Sequence, residues 1–222
     1  MNDSTIIEAK NISKFYEDGQ VKAVDNIFLQ VYAGEILVIH GPSGSGKSTL
    51  IHLLGGLDSP SSGAVYFKGQ SIQEVFCKKG FRVKNFGYIF QAFYLWQNLN
   101  TLENIMLPLL ELPLTRKERF QRSKEIIDEV GLTDKINTSV KFLSMGQRQR
   151  VAVARALVAD PSVIIADEPT GSLDSRNKEN VLQLLRNMNK QRKVTVIMVS
   201  HEDIPRDYYD RHVHLLDGKV CL

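Results

Sequence analysis

Hydrophobic and polar positions divide the chain into three zones. Over residues 5–40, apolar runs such as AVDNIFLQVYAGEILVIH are broken by single polar residues and turn signals, which predicts strands and hairpins; AVYFKG at 64–69 returns to that style. Over residues 101–140 the spacing turns helical. TLENI and TRKERF are capping-box starts, and Ile126, Ile127 and Val130 make an apolar face that stops at Gly131. Farther on, SVIIADEP, VTVIMVS and RHVHLLDG are strand-length apolar runs separated by helical stretches such as 177–189. That alternation predicts a parallel sheet with crossover helices.

One helix start stands apart. In KFLSMGQRQRVAVARALV, residues 141–158, Ser144 and Gln147 have capping-box spacing, and Val151, Ala154, Leu157 and Val158 follow at helical spacing. Gly146 nevertheless sits inside the first turn, where it weakens a helix, and no Asp or Glu supplies the negative charge that a helix N-terminus favours. The pattern predicts a helix whose anion comes from elsewhere.

Composition narrows the classes. With 222 residues, 43% of them hydrophobic, the chain can bury a full core as one large domain or two small ones. The net charge of +3 comes from Lys and Arg spread along the chain, without the clustered basic stripe of a nucleic-acid binder. Mild basicity suits a protein beside an anionic membrane leaflet. Cys77 and Cys221 lack ligand or redox spacing, so neither a disulfide framework nor a zinc site is expected, and a reducing compartment is. MNDSTIIEAK has early acidic residues and no apolar core, unlike a signal peptide. The richest apolar stretch, NIMLPLLELPL, is short and broken by Pro108 and Pro113, so no segment is expected to span a bilayer. Neither an internal repeat nor a low-complexity tract is present.

The sharpest chemical signal is GPSGSGKST: Gly41, Pro42, Ser43, Gly44, Ser45, Gly46, Lys47, Ser48 and Thr49. It matches G-x-x-x-x-G-K-[ST], follows the apolar run at 36–39 and precedes LIHLLGGL, the strand–loop–helix setting a phosphate-binding loop requires. Its glycines let backbone N–H groups turn toward phosphate oxygens, and the helix start adds its positive end. Lys47 is expected to reach the β- and γ-phosphates of ATP, and Ser48 to hold Mg²⁺. Such a site also needs a metal-holding carboxylate and a group that orients water. SVIIADE offers both at the end of a buried strand, Asp167 for the metal and Glu168 as general base.

The ordered set GPSGSGKST, Gln91, LSMGQ, VIIADE, GSLD and His201 resembles the ATP-binding subunit of an ABC transporter over essentially the whole chain. The resemblance implies an α/β fold: a P-loop, RecA-like ABC ATPase core with an antiparallel β subdomain and a helical signature subdomain. Residues 1–222 would form a single ABC ATPase domain. Residues 1–90 and 160–222 would make the nucleotide-binding core with the β subdomain, and about 91–159 the helical subdomain. Ser144 and Gly146 of the signature would touch the γ-phosphate of ATP on a second, head-to-tail copy, with Gln147 beside them in the nucleotide site and Gly146 bare so that the phosphate can come close. Met145 stands where the family commonly has glycine, its side chain facing away.

Other roles carry over singly. Tyr16 would stack on adenine, with a core tyrosine as the competing reading. Gln91 would contact Mg²⁺ and the attacking water and link the core to the helical zone; alone it is an unremarkable glutamine at a strand end. Asp174 would sit at the dimer seam, or simply cap the following helix. His201 would hold the γ-phosphate, although a lone histidine after a strand is commonly structural.

Within the family, LIHLLGGLDSPSSGAVYFKGQ, TLENIMLPLL and DEPTGSLD are similar to lipoprotein-releasing LolD-type ATPases, with MacB-type export and FtsE-type division ATPases next. The resemblance therefore implies an ATP-hydrolysing, peripheral subunit on the cytoplasmic face of a bacterial inner membrane. Its cofactors would be ATP and Mg²⁺, and its partners a second copy and integral-membrane permease subunits. Residues 92–112 are expected to form the permease-facing groove, with about half of them in the core instead. An ABC-type ATPase acting on DNA or ribosomes typically adds a long coiled coil, zinc modules or a second nucleotide domain, and the stretch between Gln91 and Ser144 has room only for a compact arm. A non-hydrolysing regulatory module would not need Glu168.

Overall fold

A computed structural model describes residues 4–16 and 19–221. Met1, Asn2 and Asp3, at the start of the segment read above for a leader, lie outside the described residues.

The opening β zone folds as two long strands, β1 (Thr5–Tyr16) and β2 (Val21–Tyr32), paired antiparallel. They replace the several short strands suggested by the polar interruptions. Asn11 and Asn26 adopt left-handed backbone (φ 51° and 48°), and register shifts between the strands absorb these residues as irregularities within the pair. β4 (Ser62–Phe67) pairs with the other edge of β1 and carries the two-residue β5 (Gln70–Ser71), which completes a four-stranded antiparallel sheet.

The second sheet has the order β10-β9-β3-β8-β7-β6. Its members are β3 (Ile36–His40), β6 (Phe86–Ile89), β7 (Val163–Asp167), β8 (Thr195–Ser200), β9 (Arg211–Leu216) and β10 (Lys219–Cys221). Every pairing is parallel except the terminal β9–β10 hairpin. This is the sheet the strand–helix alternation predicts.

Each central strand feeds two cores because successive side chains point to opposite faces. Leu37 and Ile39 join a core shared with the antiparallel sheet and helix α1 (Lys47–Leu54). Ile36 and Val38 join a second core. After the short α2 (Ile72–Phe76) and α3 (Phe81–Asn85), that core is built by α4 (Thr101–Met106), α5 (Arg116–Glu129), α6 (Met145–Leu157) and α7 (Ser175–Arg192). Burying one such Leu or Ile side chain contributes about 1.5–3 kcal/mol. The ends of β3, β7 and β8 therefore sit on a rigid base.

Capping fixes where the helices begin. Thr115 and Glu118 form the expected box at α5. At α4 the cap is Asn100, one residue earlier than TLENI suggests: its side chain accepts from Glu103 N–H at 2.9 Å, and Glu103 accepts from Asn100 N–H at 2.8 Å. Buried Asn104 then donates to the carbonyls of Trp96, Leu99 and Asn100, which ties the preceding loop to the helix. Cys77 and Cys221 are exposed and form no disulfide. Among the described residues no helix is long and apolar enough to cross a membrane.

Candidate functional site

The loop at 41–46 leaves β3 and turns directly into α1, so Lys47, Ser48 and Thr49 occupy the first helical turn. Gly46 makes the entry possible. It caps the helix at φ 96°, and a Cβ there would overlap the carbonyl oxygen of Ala23. The Lys47 side chain is buried, and its ammonium donates to the carbonyls of Gly41 and Pro42, both at 2.8 Å. A cleft of about 780 Å³ opens over this loop. Pro42, Ser43, Gly44 and residues 46–49 line it, together with Tyr16, Glu168 and His201; Gly41 and Ser45 belong to the loop but not to the lining.

The end of β7 brings two carboxylates beside α1. Ser48 Oγ donates to Asp167 Oδ1 at 3.1 Å, while Asp167 Oδ2 lies 3.3 Å from His52 Nε2. His52 was not singled out in the sequence, although its position one helical turn after Ser48 puts both on one face of α1. Glu168 departs from strand geometry into left-handed backbone (φ 47°), with its N–H bonded to Val199 O at 3.2 Å. Its Oε1 lies 2.9 Å from Nδ1 of His201. Gln91 is exposed two residues beyond the end of β6, and shares a neighbouring pocket with His52 and Asp167. A side chain at Gly171 would come within 3.3 Å of both Gln91 Nε2 and Glu168 Oε2, so these two polar groups flank that glycine.

Tyr16 is 40% exposed, which removes the core reading. Its hydroxyl donates to Asp58 Oδ2 at 3.0 Å, and partial burial, reinforced by that carboxylate, pushes the phenol above its ordinary range. The ring stays a neutral face on the cleft.

Ser144 caps α6 as its spacing predicts. Its Oγ accepts from Gln147 N–H at 3.2 Å, its own N–H donates to Gln147 Oε1 at 2.9 Å, and the first turn holds no acidic residue. Ser144 and Met145 are exposed, whereas Gly146 is buried. Asp174 caps α7, accepting from the backbone N–H of Asn177 at 2.9 Å and from its side-chain amide at 2.6 Å. None of Ser144, Gly146, Gln147 and Asp174 lines the cleft over the loop of their own chain. The structure thus gathers the candidates into a cleft group, a carboxylate group beside it, and a separate group at the starts of α6 and α7.

Two further residues tie these groups together, and no local sequence pattern flags them. Gln149, fully buried on α6, donates its amide to Pro169 O at 2.6 Å, next to Glu168. Arg155, also on α6, donates to Phe93 O at 2.6 Å and Tyr94 O at 2.5 Å. Phe93 and Tyr94 are consecutive left-handed residues (φ 61° and 46°) just past Gln91.

The model of the ABC transporter family matches residues 24–171, from β2 through the phosphate-binding loop, the capped α6 and the two carboxylates. The chain belongs to the ABC transporter family. An uncharacterized ABC transporter ATP-binding protein of Methanocaldococcus jannaschii is 42% identical to this cassette, over 97% of each chain. The lipoprotein-releasing system ATP-binding protein LolD of Colwellia psychrerythraea is 39% identical over 98% of this cassette and 86% of its own length. Among solved structures, an ATP-binding cassette in a dimeric post-hydrolysis state bound to ADP and Pi is 36% identical. It superposes with a TM-score of 0.86 over 97% of this chain and 96% of that one. The fold is that of an ABC ATPase, and the chain is an ATP-binding cassette subunit of the transporter type.

Proposed function

We propose that this cassette binds ATP with Mg²⁺, hydrolyses it between two head-to-tail copies, and uses the cycle to drive a permease on the cytoplasmic face of a bacterial inner membrane. The observation that carries the hydrolytic part is the meeting of Glu168 and His201 in the cleft over the phosphate-binding loop. The backbone of 41–49 cradles the phosphates, Lys47 exchanges its two loop carbonyls for β- and γ-oxygens, and Tyr16 offers its ring to adenine. Ser48 and Asp167 are hard oxygen donors already in contact, a set that fits Mg²⁺, with Gln91 as a further oxygen donor nearby. When bound, the ion would neutralise charge on the β- and γ-oxygens. Glu168 takes the proton from the attacking water, and His201 orients Glu168 through Nδ1 and contacts the γ-phosphate. Ser144 and Gln147, with Gly146 behind them, present the start of α6 to the nucleotide of the second copy, and Asp174 lies at the seam. The whole of 1–222 acts as one ATPase unit, with 91–159 as its helical arm.

Lipoprotein release is the transport process this reading favours, on the strength of LolD relatives at 38–39% identity that span nearly the whole cassette. Residues 92–112 supply the docking surface. They divide as core and surface: Leu95, Ile105, Leu109 and Leu112 are buried, whereas Tyr94, Trp96 and Leu110 stand exposed. An apolar groove of about 360 Å³ lies beside them, lined by Phe90, Tyr94, Leu107 and Pro108. In membranes from the cell that makes this chain, Tyr94→Glu and Trp96→Glu should release the cassette while the soluble protein still hydrolyses ATP. Full membrane retention of both variants would refute the docking surface.

A further inference from the structure

Gly146 is buried in its own chain, and the group that covers it is Asn177 at the start of α7. A Cβ at Gly146 would overlap Asn177 Oδ1 and stand 2.6 Å from Asn177 Cγ. That amide cannot simply swing aside. Its Nδ2 donates to Asp174 Oδ2 at 2.6 Å, and the backbone N–H of the same residue donates to Asp174 Oδ1 at 2.9 Å. Asp174 therefore holds Asn177 at two points, and Asn177 rests on the one position of the first turn of α6 that has no side chain. One turn farther along α6, Gln149 grips Pro169 O. The start of α6 and the connection 168–177 are thus joined at both ends of a short span.

We infer that Asn177 is a positioning residue: its amide, seated on Gly146, sets the register between α6 and α7 so that Ser144 and Asp174 face a second copy as one surface. Asn177 in the same chain is then sufficient to require a glycine at position 146, whatever group of the partner approaches its backbone. The inference rests on the proposed two-copy site, since only there does the relative placement of Ser144 and Asp174 affect turnover.

A double-mutant cycle tests the seat of Asn177 on Gly146. In the Glu168→Gln background, Gly146→Ala should reduce ATP-dependent dimer formation by about tenfold, a coupling of the size contacting residues show. MgATP binding by the monomer, read by equilibrium dialysis, should be unchanged, because the cleft lining contains none of these residues. Adding Asn177→Ala removes the obstructing amide and leaves room for the new methyl, so the double variant should dimerise at least as well as Asn177→Ala alone. Asn177→Ala alone should weaken dimerisation several-fold, which keeps the test open should Gly146→Ala fail to fold. The inference is overturned if Gly146→Ala dimerises like its parent, if the double variant dimerises more weakly than Asn177→Ala alone, or if Asn177→Ala alone has no effect on dimerisation. A Glu168→Gln parent that never dimerises with ATP would instead contradict the proposed function itself.

Discussion

Glu168 Oε1 and His201 Nδ1 meet at 2.9 Å, and the glutamate reaches that contact from a left-handed backbone at φ 47°. Holding a non-glycine residue there costs on the order of 1–3 kcal/mol, strain that a functional site can retain when its surroundings over-determine the conformation. Glu168→Gln keeps the shape and a hydrogen-bonding oxygen for His201 but cannot take a proton from water. Turnover should fall by roughly 10²–10⁴-fold with ATP still bound, read as phosphate release against retained nucleotide. A variant that turns over at the parental rate would remove Glu168 from the role of base.

Asp167 accepts from Ser48 at Oδ1, and the His52 imidazole packs beside Oδ2, its Nε2 3.3 Å away. His52→Ala empties the space beside Oδ2, so the carboxylate is less well confined toward a metal. The Mg²⁺ concentration giving half-maximal turnover should rise several-fold, while ATP binding without metal stays unchanged. His52→Gln should recover part of the difference, since its amide nitrogen reaches about as far as the imidazole Nε2 beside Asp167.

Arg155 spans the carbonyls of Phe93 and Tyr94 with two guanidinium nitrogens, and burial lowers its pKa. Lysine is a point donor and cannot replace a planar fork. Arg155→Lys should destabilise the fold by about 0.5–1.5 kcal/mol in urea unfolding, the usual net contribution of a hydrogen bond that is not fully buried. Unchanged stability would show that the two left-handed residues hold themselves.

The Asp174 carboxyl is kept below its ordinary value of 3.8 by the backbone N–H of Asn177 first and then by its side-chain amide. Because the folded value is the lower one, the stabilisation is complete above the ordinary value and disappears as the pH falls through the folded one. Asp174→Asn keeps a capping oxygen but loses this titration. Wild type should therefore be the more stable near neutrality, with the gap closing as the pH is lowered past 3.8. A gap that does not change with pH would contradict the linkage.

Local patterns made much of this legible. The phosphate-binding loop, the Ser144–Gln147 box and the Asp167–Glu168 pair are each written within a few consecutive residues, and strand–helix alternation carried the parallel sheet. The losses are non-local. Leu95 sits in a run of large apolar residues beside exposed Tyr94 and Trp96, and only packing against the second core separates it from them. The seat of Asn177 on Gly146 joins two helices distant in sequence, so the glycine's own environment could not be read from LSMGQ. Asn11 and Asn26 carry the same left-handed preference in a bulge as in a turn, which is why a long strand pair resembled several short ones.

The central claim is that each nucleotide site combines the loop of one copy with the start of α6 from another. Ser144→Asp tests it most cleanly, because aspartate still caps α6 and does not touch Asn177 at Gly146. Its carboxylate would face the partner's γ-phosphate, and like charges about 4 Å apart at an effective dielectric near 20 repel by roughly 4 kcal/mol. Lys47→Ala disables the loop instead. Verified mixed dimers of the two variants contain one doubly defective site and one intact one, so the decisive measurement is ATP occluded per mixed dimer. The account predicts about one ATP occluded between the copies of each mixed dimer and none between those of either homodimer, although the intact loop of Ser144→Asp still binds ATP singly; mixed dimers that occlude none, or Ser144→Asp homodimers that hydrolyse ATP at the parental rate, would contradict it.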